Sequence, residues 1–367
     1  MISYSIQCAI VRGGTTKGIF INTNQLPADI ALRDRVLLTL FGSPDVRQIN
    51  GLGGGDPLTS KVALICASTE PDIDIDYRSG EVGIDEGIIN YSTMCGNLAS
   101  GVGLFALATN MIKTVAPETK VRIRNLNTGK LLEACIPINA DHSVPQINCL
   151  AVDGVKGSGT EIKLTFLEPG GSITGELLPT GNATDRLVVD HHEYPCSIVD
   201  CGTLYAFFPA NCFGLMGNEQ PEVLDANVPF KETIEALREK VALLISTQLK
   251  KPLAAKQIKI AIFADTLPIK KNNAEIIARV INRYKTHKAF PVTGAICMSA
   301  ASVIPNTLLN VDDNVDHTEH TVFIKHPEGI IATKSLCEWH HEKVNVLYTS
   351  VNRSARILMI GTADCFM

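Results

Sequence analysis

Cys8-Ala9-Ile10-Val11-Arg12-Gly13-Gly14-Thr15, with Ile19-Phe20 shortly after it, occurs a second time in this chain in a similar form. The second copy reads Cys196-Ser197-Ile198-Val199-Asp200-Cys201-Gly202-Thr203 and is followed by Phe207-Phe208. Six of the ten aligned positions are identical, and the copies lie half a chain length apart. Self-similarity at a fixed offset indicates a duplicated structural unit, so the same order of elements is expected after each copy.

Hydrophobic patterns after the two copies follow one order: a helix, a strand, a helix of small residues, then two strands joined by a turn. In the first half they occupy residues 29–41, 61–66, 96–108 and 121–123, with the turn at 127–129. In the second half they occupy residues 231–249, 258–263, 294–303 and 322–324, with the turn at 326–329. The hairpin turns favour mixed or antiparallel sheets. The small-residue helices are apolar on nearly every side and are expected inside a curled sheet.

The sequence therefore predicts an α+β protein of two pseudo-symmetric domains. A Pro- and Gly-rich run at 169–182 precedes His191-His192, so we expect domains at 1–192 and 193–350, with residues 351–367 returning to the first domain as a strand. The hydrophobic pattern alone leaves residues 274–281 open between strand and helix. Paired domains usually bind ligands in the cleft between them, where helix N-termini can hold anions.

Composition argues against several classes of function. The 367 residues are 45% hydrophobic and 19% charged, with a net charge of −5 at pH 7. Lys and Arg are scattered, which argues against a nucleic-acid partner, and neither a membrane-spanning apolar run nor a secretory signal pattern occurs. The eleven cysteines form no Cys-x-x-Cys pair and lie mostly in apolar runs, which is typical of cytoplasmic proteins. His191-His192 and His340-His341 lack partners at ligand spacing, so we expect no metal site.

Two glycine-rich segments of the first half are candidates for holding an anion. Residues 12–18 join two strands and form either an ordinary hairpin turn or an anion-binding turn. Residues 50–60 include four glycines in five positions, a pattern typical of backbone that approaches a ligand closely. Lys61 follows at the mouth of an apolar strand, where desolvation would lower its pKa toward neutrality and make it a usable base. The alternative is a lysine that is simply solvated at a strand end.

Cys95 precedes Gly96-Asn97 at the start of a predicted helix, where the helix dipole and free N–H groups favour a thiolate. Such a group suits proton transfer near neutral pH, and a buried structural cysteine is the alternative. If Thr293 corresponds to Asn97, Pro291 occupies the position of Cys95 in the second half. A racemase that uses one thiol from each domain is therefore disfavoured, and proton transfer between Cys95 and another partner is more natural.

Short motifs along nearly the whole chain resemble those of the 2-methylaconitate isomerase (PrpF-like) family. They are residues 12–18, 42–45, 47–51, 59–62, 95–97, 178–182, 326–329 and 353–356. Residues 26–29, 32–38, 42–49 and 56–63 look similar to the 4-oxalomesaconate tautomerase branch. Asn50, Thr16 and Leu104 depart from the commoner family residues Asp, Ser and Pro. The resemblance implies the fold of diaminopimelate epimerase, in which two similar domains each wrap a curled sheet around a central helix.

The resemblance also implies an isomerase that needs no cofactor and moves a proton along an allylic system of an unsaturated di- or tricarboxylate. The expected reaction is keto–enol tautomerisation of 4-oxalomesaconate, with isomerisation of 2-methylaconitate or methylitaconate as the alternative in the same family. Lys61 and Cys95 are implied as the acid and the base, in an order that stays open. A non-catalytic carboxylate-binding accessory protein is the alternative from another class, and a homodimer also stays open.

Residues at turns and helix starts are the candidates for binding this substrate, because their N–H groups are free to hold carboxylates. They are Thr15, Thr16, Gly54, Gly55, Ser60, Gly96, Asn97, Thr293, Gly294 and His326. Arg12, Lys17 and Arg353 are weaker candidates, since charged residues in loops are more often simply solvated.

Overall fold

The computed structural model describes residues 3–145, 150–264, 267–270, 273–282, 285–310, 319–340 and 343–367. The chain forms two compact units. One consists of Met1–Leu164 together with Asn352–Met367, and the other of Thr165–Val351. Among the helices of these described ranges, none combines the length and the apolar character that a membrane crossing requires.

The first unit alternates strands with two helices. In chain order its elements are β1 (Ser3–Gly13), β2 (Thr16–Asn22), α1 (Ile30–Phe41), β3 (Lys61–Ala67), β4 (Ile75–Val82), β5 (Ile89–Asn90), α2 (Gly96–Ala108), β6 (Glu118–Asn125), β7 (Leu131–Pro137), β8 (Leu150–Ala151) and β9 (Ser158–Leu167). Strand β9 ends just past the unit boundary.

The second unit follows the same plan. Its elements are β10 (Asp185–Val189), β11 (His192–Asp200), β12 (Leu204–Pro209), α3 (Pro221–Ala226), α4 (Val228–Leu249), β13 (Lys259–Phe263), β14 (Leu267–Lys270), β15 (Asn273–Ile281), α5 (Val292–Val303), β16 (His320–His326), β17 (Gly329–His340) and β18 (Lys343–Phe366). The segment that the hydrophobic pattern left open at 274–281 is a strand, β15.

Strand pairing repeats between the units in the order that the sequence repeat predicted. In the first unit β1–β2 is antiparallel, β2–β3 parallel, β3–β4 antiparallel, β4–β6 parallel and β6–β7 antiparallel. In the second, β11–β12, β12–β13, β13–β15, β15–β16 and β16–β17 follow the same alternation. Each parallel pair needs a helical crossover, which α1 and α2 supply in one unit and α4 and α5 in the other. The predicted α+β fold of two pseudo-symmetric units with mixed sheets is confirmed.

The first unit ends at Leu164 rather than near residue 192. The reason is that β10 pairs antiparallel with β11, and Gly170 forms a β-bridge with Cys201. Residues 165–192 are therefore held by the second unit's strands, although their Pro- and Gly-rich composition is typical of a linker.

Helix α2 is buried on every side from Gly96 to Leu107, and α5 is buried along its whole length. Small residues make this possible in α2. A Cβ atom at Gly101 would lie 2.9 Å from Val11 Cγ1 and 3.0 Å from Phe20 Cζ, so only glycine lets β1 and β2 pack this closely on the helix.

Strand β18 takes part in both units through successive segments. Up to Val351 it pairs with β17, and from Ala355, opposite Gly13, to Phe366, opposite Ser3, it pairs antiparallel with β1. Ser354 accepts a hydrogen bond from the Gly14 N–H at 2.9 Å. The residues just before Ala355 therefore lie beside the β1–β2 turn.

Candidate active site

The β1–β2 turn packs directly on the start of helix α2. A Cβ atom at Gly13 would clash with the carbonyl oxygen of Asn97, so glycine is required for this approach. The Asn97 amide Nδ2 donates to Thr15 Oγ1 at 3.0 Å. Thr16 is buried and opens β2 opposite Gly13, while Thr15 is half-buried. The turn therefore brings Thr15, Thr16 and Asn97 together, as expected for residues at one site.

The glycine-rich loop joins the same cluster at its C-terminal end. The Lys17 N–H donates to the carbonyl oxygen of Leu58 at 2.9 Å, and a Cβ at Gly18 would lie 2.8 Å from the carbonyl oxygen of Lys61. Gly54 is exposed and packs on Thr59, further back in the loop. The loop is thus anchored beside the turn that precedes β2.

Gln48 holds this loop closed, although it was not among the predicted site residues. It is buried, and its Oε1 accepts hydrogen bonds from the Gly55 N–H at 2.9 Å and from Ser60 Oγ at 2.6 Å. Gly55 has a φ of +63°, a conformation that favours glycine. The hydroxyl of Ser60, proposed to bind substrate, is fully buried and engaged with Gln48. Nothing local in the sequence identifies Gln48, because its partners come from the far end of the loop.

Lys61 opens β3 directly opposite Glu81 of β4, and its Nζ lies 3.1 Å from Glu81 Oε2. Its side chain is 13% exposed. Burial lowers the pKa of Lys61, but Glu81, Cys95 and Asp56 together outweigh that effect and leave the pKa raised. The expectation that desolvation lowers this pKa toward neutrality is therefore wrong, because the cross-strand carboxylate favours the charged form. Lys61 is an ammonium at neutral pH in this structure.

Cys95 is the N-cap of α2 and is half-buried. Two side chains of β4 fix its backbone: its N–H donates to Ser79 Oγ at 2.9 Å, and its carbonyl oxygen accepts from the Tyr77 hydroxyl at 3.2 Å. Burial raises the pKa of Tyr77 well above its usual value, so Tyr77 remains a neutral donor. Ser79 and Glu81 are two residues apart and share one face of β4. Because Ser79 bonds to Cys95 and Glu81 pairs with Lys61, both groups lie in one small region at the start of α2.

No side chain caps helix α2. The first N–H groups of a helix have no acceptor within it, so Gly96 and Asn97 present donors and the positive end of the helix dipole to the same region. Asn97 is 5% exposed and belongs to the first turn. This arrangement can hold an anion beside an ammonium and a thiol.

The second unit carries the corresponding helix start with different chemistry. Pro291 is the N-cap of α5, as Cys95 is of α2, so Thr293 corresponds to Asn97. Gly294 packs on Tyr205, whose hydroxyl would lie 2.5 Å from a Cβ at that position. His326 is the last residue of β16 and is 9% exposed. Thr293 and Gly294 share one helix turn, whereas His326 lies at a hairpin of the same unit.

Within the described ranges, no three or more His, Cys, Asp or Glu side chains lie close enough together to hold a metal ion. The side chain of His340, all of His341 and Cys149 lie outside the described residues. Seven of the ten described cysteines are buried, and Cys66, Cys95 and Cys212 are half-buried.

The sequence matches the family model described as PrpF protein over residues 3–365. The chain belongs to the PrpF family. Among similar PrpF-family relatives, the 3-methylitaconate isomerase of Eubacterium barkeri is 36% identical over 97% of this chain and 96% of its own length. The 4-oxalomesaconate tautomerase of Pseudomonas putida is 34% identical over 88% of this chain and 87% of its own.

Solved structures agree with this membership. A methylitaconate-delta-isomerase is 35% identical with a TM-score of 0.79, covering 99% of this chain and 96% of that chain. A hydroxyproline epimerase from Agrobacterium vitis shares the fold alone, at 12% identity and a TM-score of 0.58, covering 98% and 92%. The expected family and epimerase-like fold are confirmed. Since the relatives are named as isomerases and tautomerases, this PrpF-family chain is an isomerase.

Proposed function

We propose that the protein catalyses keto–enol tautomerisation of 4-oxalomesaconate, with Lys61 and Cys95 transferring the proton. The observation that carries the proposal is that contacts with neighbouring residues of β4 place the Lys61 ammonium and the Cys95 side chain beside the uncapped N-terminus of α2. An anionic substrate with several carboxylates suits such a region, because helix N–H groups and a lysine both attract negative charge.

The reaction needs one proton to be removed and one to be returned. Breaking the allylic C–H bond of the keto form sends its electron pair toward the carbonyl, and protonation of the carbonyl oxygen gives the enol. Lys61 begins as an ammonium in the free protein, so in this direction it donates its proton to the carbonyl oxygen. Cys95 acts in the proposal as a thiolate, which takes the carbon-bound proton and becomes a thiol. In the reverse direction the two roles exchange. Neither step requires a cofactor.

Helix N–H groups stabilise the intermediate between these two steps. Removal of the proton creates an enolate, and donors placed where that charge develops contribute about 3 kcal/mol each to lowering the barrier. Gly96 and Asn97 of the uncapped first turn are proposed for this role. Thr15, Thr16, Gly54, Gly55 and Ser60 remain proposed binding residues of the first unit, and Thr293, Gly294 and His326 those of the second.

Isomerisation of methylitaconate is a second candidate function. The similar methylitaconate-delta-isomerase structure and the relative from Eubacterium barkeri favour it. The resemblance of residues 26–29, 32–38, 42–49 and 56–63 to the tautomerase branch favours 4-oxalomesaconate. Both reactions move a proton along an allylic system, so the same Lys61 and Cys95 chemistry serves either one. A cytoplasmic location is proposed as well, because seven of the ten described cysteines are buried as small apolar side chains.

A substrate panel tests the proposal. The purified protein is mixed with 4-oxalomesaconate, methylitaconate or 2-methylaconitate, and conversion is followed by ultraviolet absorbance and proton NMR. We expect the largest kcat/KM for 4-oxalomesaconate. A larger value for methylitaconate would replace the first candidate by the second, and no conversion of any of the three would contradict both.

A further inference from the structure

Arg353 is a buried cation of the first unit that forms no ion pair with any described residue. It is 5% exposed and precedes Ser354, which accepts the Gly14 N–H bond beside the β1–β2 turn. Its Nη2 donates to Asn97 Oδ1 at 3.0 Å, while its Nε is buried without a partner. Such sparse bonding is unusual for a buried guanidinium, which carries five N–H donors.

The charge of Arg353 is little compensated. Burial and the nearby positive charge of Arg12 lower the pKa of Arg353 to about 10, against a smaller opposite effect of Asp153. The guanidinium is therefore still charged at neutral pH. Because a buried charge with few partners costs folding free energy, stability does not explain its presence at this position.

The chemistry of Arg353 fixes the orientation of the Asn97 amide. A guanidinium has donors and no acceptor, so the Asn97 atom that faces it is the amide oxygen. The amide nitrogen then points to Thr15, to whose Oγ1 it donates at 3.0 Å. Since Thr15 accepts this bond, its own hydroxyl hydrogen is free for another acceptor, and no described residue supplies one.

Backbone contacts hold these groups in place. Ser100 Oγ donates to the carbonyl oxygen of Asn97 at 2.7 Å, which fixes the first turn of α2. Gly14 has a φ of +50°, and a Cβ there would clash with Asn97 Oδ1 and lie 2.8 Å from Arg353 Nη2. The turn that carries Thr15 reaches the amide and the guanidinium because position 14 is glycine.

We propose that Arg353 is a positioning residue that, through Asn97, leaves Thr15 as a hydrogen-bond donor to an anionic oxygen of the substrate, a carboxylate or the developing enolate. The proposal rests on the proposed function and makes it more specific. The substrate atom that contacts Thr15 accepts a hydrogen bond and does not donate one. A chain of donors that begins at a positive charge polarises each later bond. Charge-assisted hydrogen bonds are about twice as strong as neutral ones, so this donor favours an ionised ligand over its neutral ester.

Binding of tricarballylate, a saturated tricarboxylate, tests the arrangement by isothermal titration calorimetry. The variants are Thr15→Val, Arg353→Met and the double variant. We expect each single change to weaken binding about 10- to 100-fold, the range for a lost hydrogen bond to a charged group. The double variant should bind as the weaker single variant does, because both changes remove the same donor. Additive losses, wild-type affinity in either single variant, or no binding by the wild type would overturn the proposal.

A matched control and one conservative variant separate positioning from a merely structural role. Arg356→Met removes an exposed charge on the same strand and should change affinity less than about fivefold. Arg353→Lys keeps a residue with donors only and should retain much of the binding that Arg353→Met loses. Equal losses in Arg353→Lys and Arg353→Met, or a loss in Arg356→Met as large as theirs, would contradict the relay.

Asn97→Asp keeps the test decisive even if Arg353→Met does not fold. The new carboxylate pairs with Arg353, which should raise the melting temperature, but it also accepts the Thr15 hydroxyl and leaves no donor for the ligand. We therefore expect a more stable protein that binds tricarballylate at least about tenfold more weakly. Binding at the wild-type level would overturn the proposal.

The outcomes also distinguish this proposal from the proposed function. Tricarballylate has no double bond to move, so binding is measured without turnover. If the wild type binds it through Thr15 but converts no member of the substrate panel, the donor assignment stands and the proposed reaction fails. If the wild type converts 4-oxalomesaconate and Thr15→Val has unchanged KM and kcat, the proposed reaction stands and the donor assignment fails.

Discussion

Helices α2 and α5 occupy equivalent places in the two units, yet their first residues differ in chemistry. Both are buried helices of small residues with no side-chain cap. The N-cap of α2 is Cys95, whose thiol can carry a proton, whereas that of α5 is Pro291, which has neither an N–H nor a proton to transfer. Both units therefore bury a helix of small residues in the same place. Of these two helices, only α2 has proton-transfer groups at its start.

The thiol that α5 does contain is unsuited to the same role. Cys297 lies inside the helix, is fully buried and donates to the carbonyl oxygen of Val199 at 3.2 Å. Burial raises its pKa well above the usual value, so it stays a neutral thiol. Cys95 at the edge of α2 and Cys297 within α5 therefore form a matched pair for experiments.

The largest expected effect comes from Lys61, which has an ammonium beside the start of α2. Lys61→Met should lower kcat by about 100- to 10,000-fold, because a positioned general acid or base is removed. Stopped assays of 4-oxalomesaconate conversion measure the loss, and circular dichroism checks the fold. Near-normal turnover in a folded variant would contradict the proposal that Lys61 transfers a proton at the start of α2.

Cys95 and Cys297 test the helices against each other. Cys95→Ala should lower kcat by about 100-fold or more, because it removes the second proton-transfer group. Cys297→Ala removes a buried, neutral thiol whose described hydrogen bond is to the Val199 carbonyl oxygen, so its kcat should stay close to that of the wild type once folding is verified. Equal activities of the two variants would show that the α2 thiol has only a packing role.

Glu81 raises the pKa of Lys61, so removing its charge tests whether Lys61 is the proton donor. Glu81→Gln should lower the pKa of Lys61, because desolvation then acts with less opposition, and should move the alkaline limb of kcat/KM to lower pH. The raised pKa has a separate effect on folding stability. Lys61 stabilises the folded protein at pH values below its pKa in the unfolded chain, and this contribution is lost as pH rises through its pKa in the folded protein. Asp56→Asn, at an exposed position with a weaker effect, should move the limb less. An unmoved limb in Glu81→Gln would contradict the assignment.

The smallest expected effect concerns packing around α2. Gly101→Ala pushes a Cβ against Val11 and Phe20 and should lower the free energy of unfolding by about 1–3 kcal/mol. Better helix propensity offsets up to about 1 kcal/mol of this loss. Gly170→Ala is the control, since its Cβ would lie at an ordinary 3.4 Å from Leu177. Urea unfolding curves measure both, and equal stability of Gly101→Ala and wild type would refute the close packing.

The fold could be predicted from the sequence because its signals are local or repeated. The copies at Cys8 and Cys196, the small residues of both central helices and the hairpin turns each act within a short segment. The unit boundary could not be predicted in the same way. Residues 165–192 have the composition of a linker, but the pairing of β10 with β11 is a contact that no single segment reveals.

The electrostatics of the site required the structure. Lys61 and Glu81 are 20 residues apart, and only the β3–β4 register places them together, which reverses the expected direction of the Lys61 pKa. Arg353 was only a weaker candidate for binding, because charged residues are more often solvated, yet it is buried in a strand against Asn97. Both differences arise from contacts between distant segments, whereas a sequence shows each residue only beside its neighbours along the chain.

Solvent deuterium exchange tests the central claim most directly. The protein is incubated with 4-oxalomesaconate in heavy water, and loss of the allylic proton signal is followed by NMR for the wild type, Lys61→Met, Cys95→Ala and Cys297→Ala. We predict rapid exchange in the wild type and in Cys297→Ala, and exchange slowed by about 100-fold or more in the other two. Equally rapid exchange in all four proteins would contradict the assignment of proton transfer to Lys61 and Cys95.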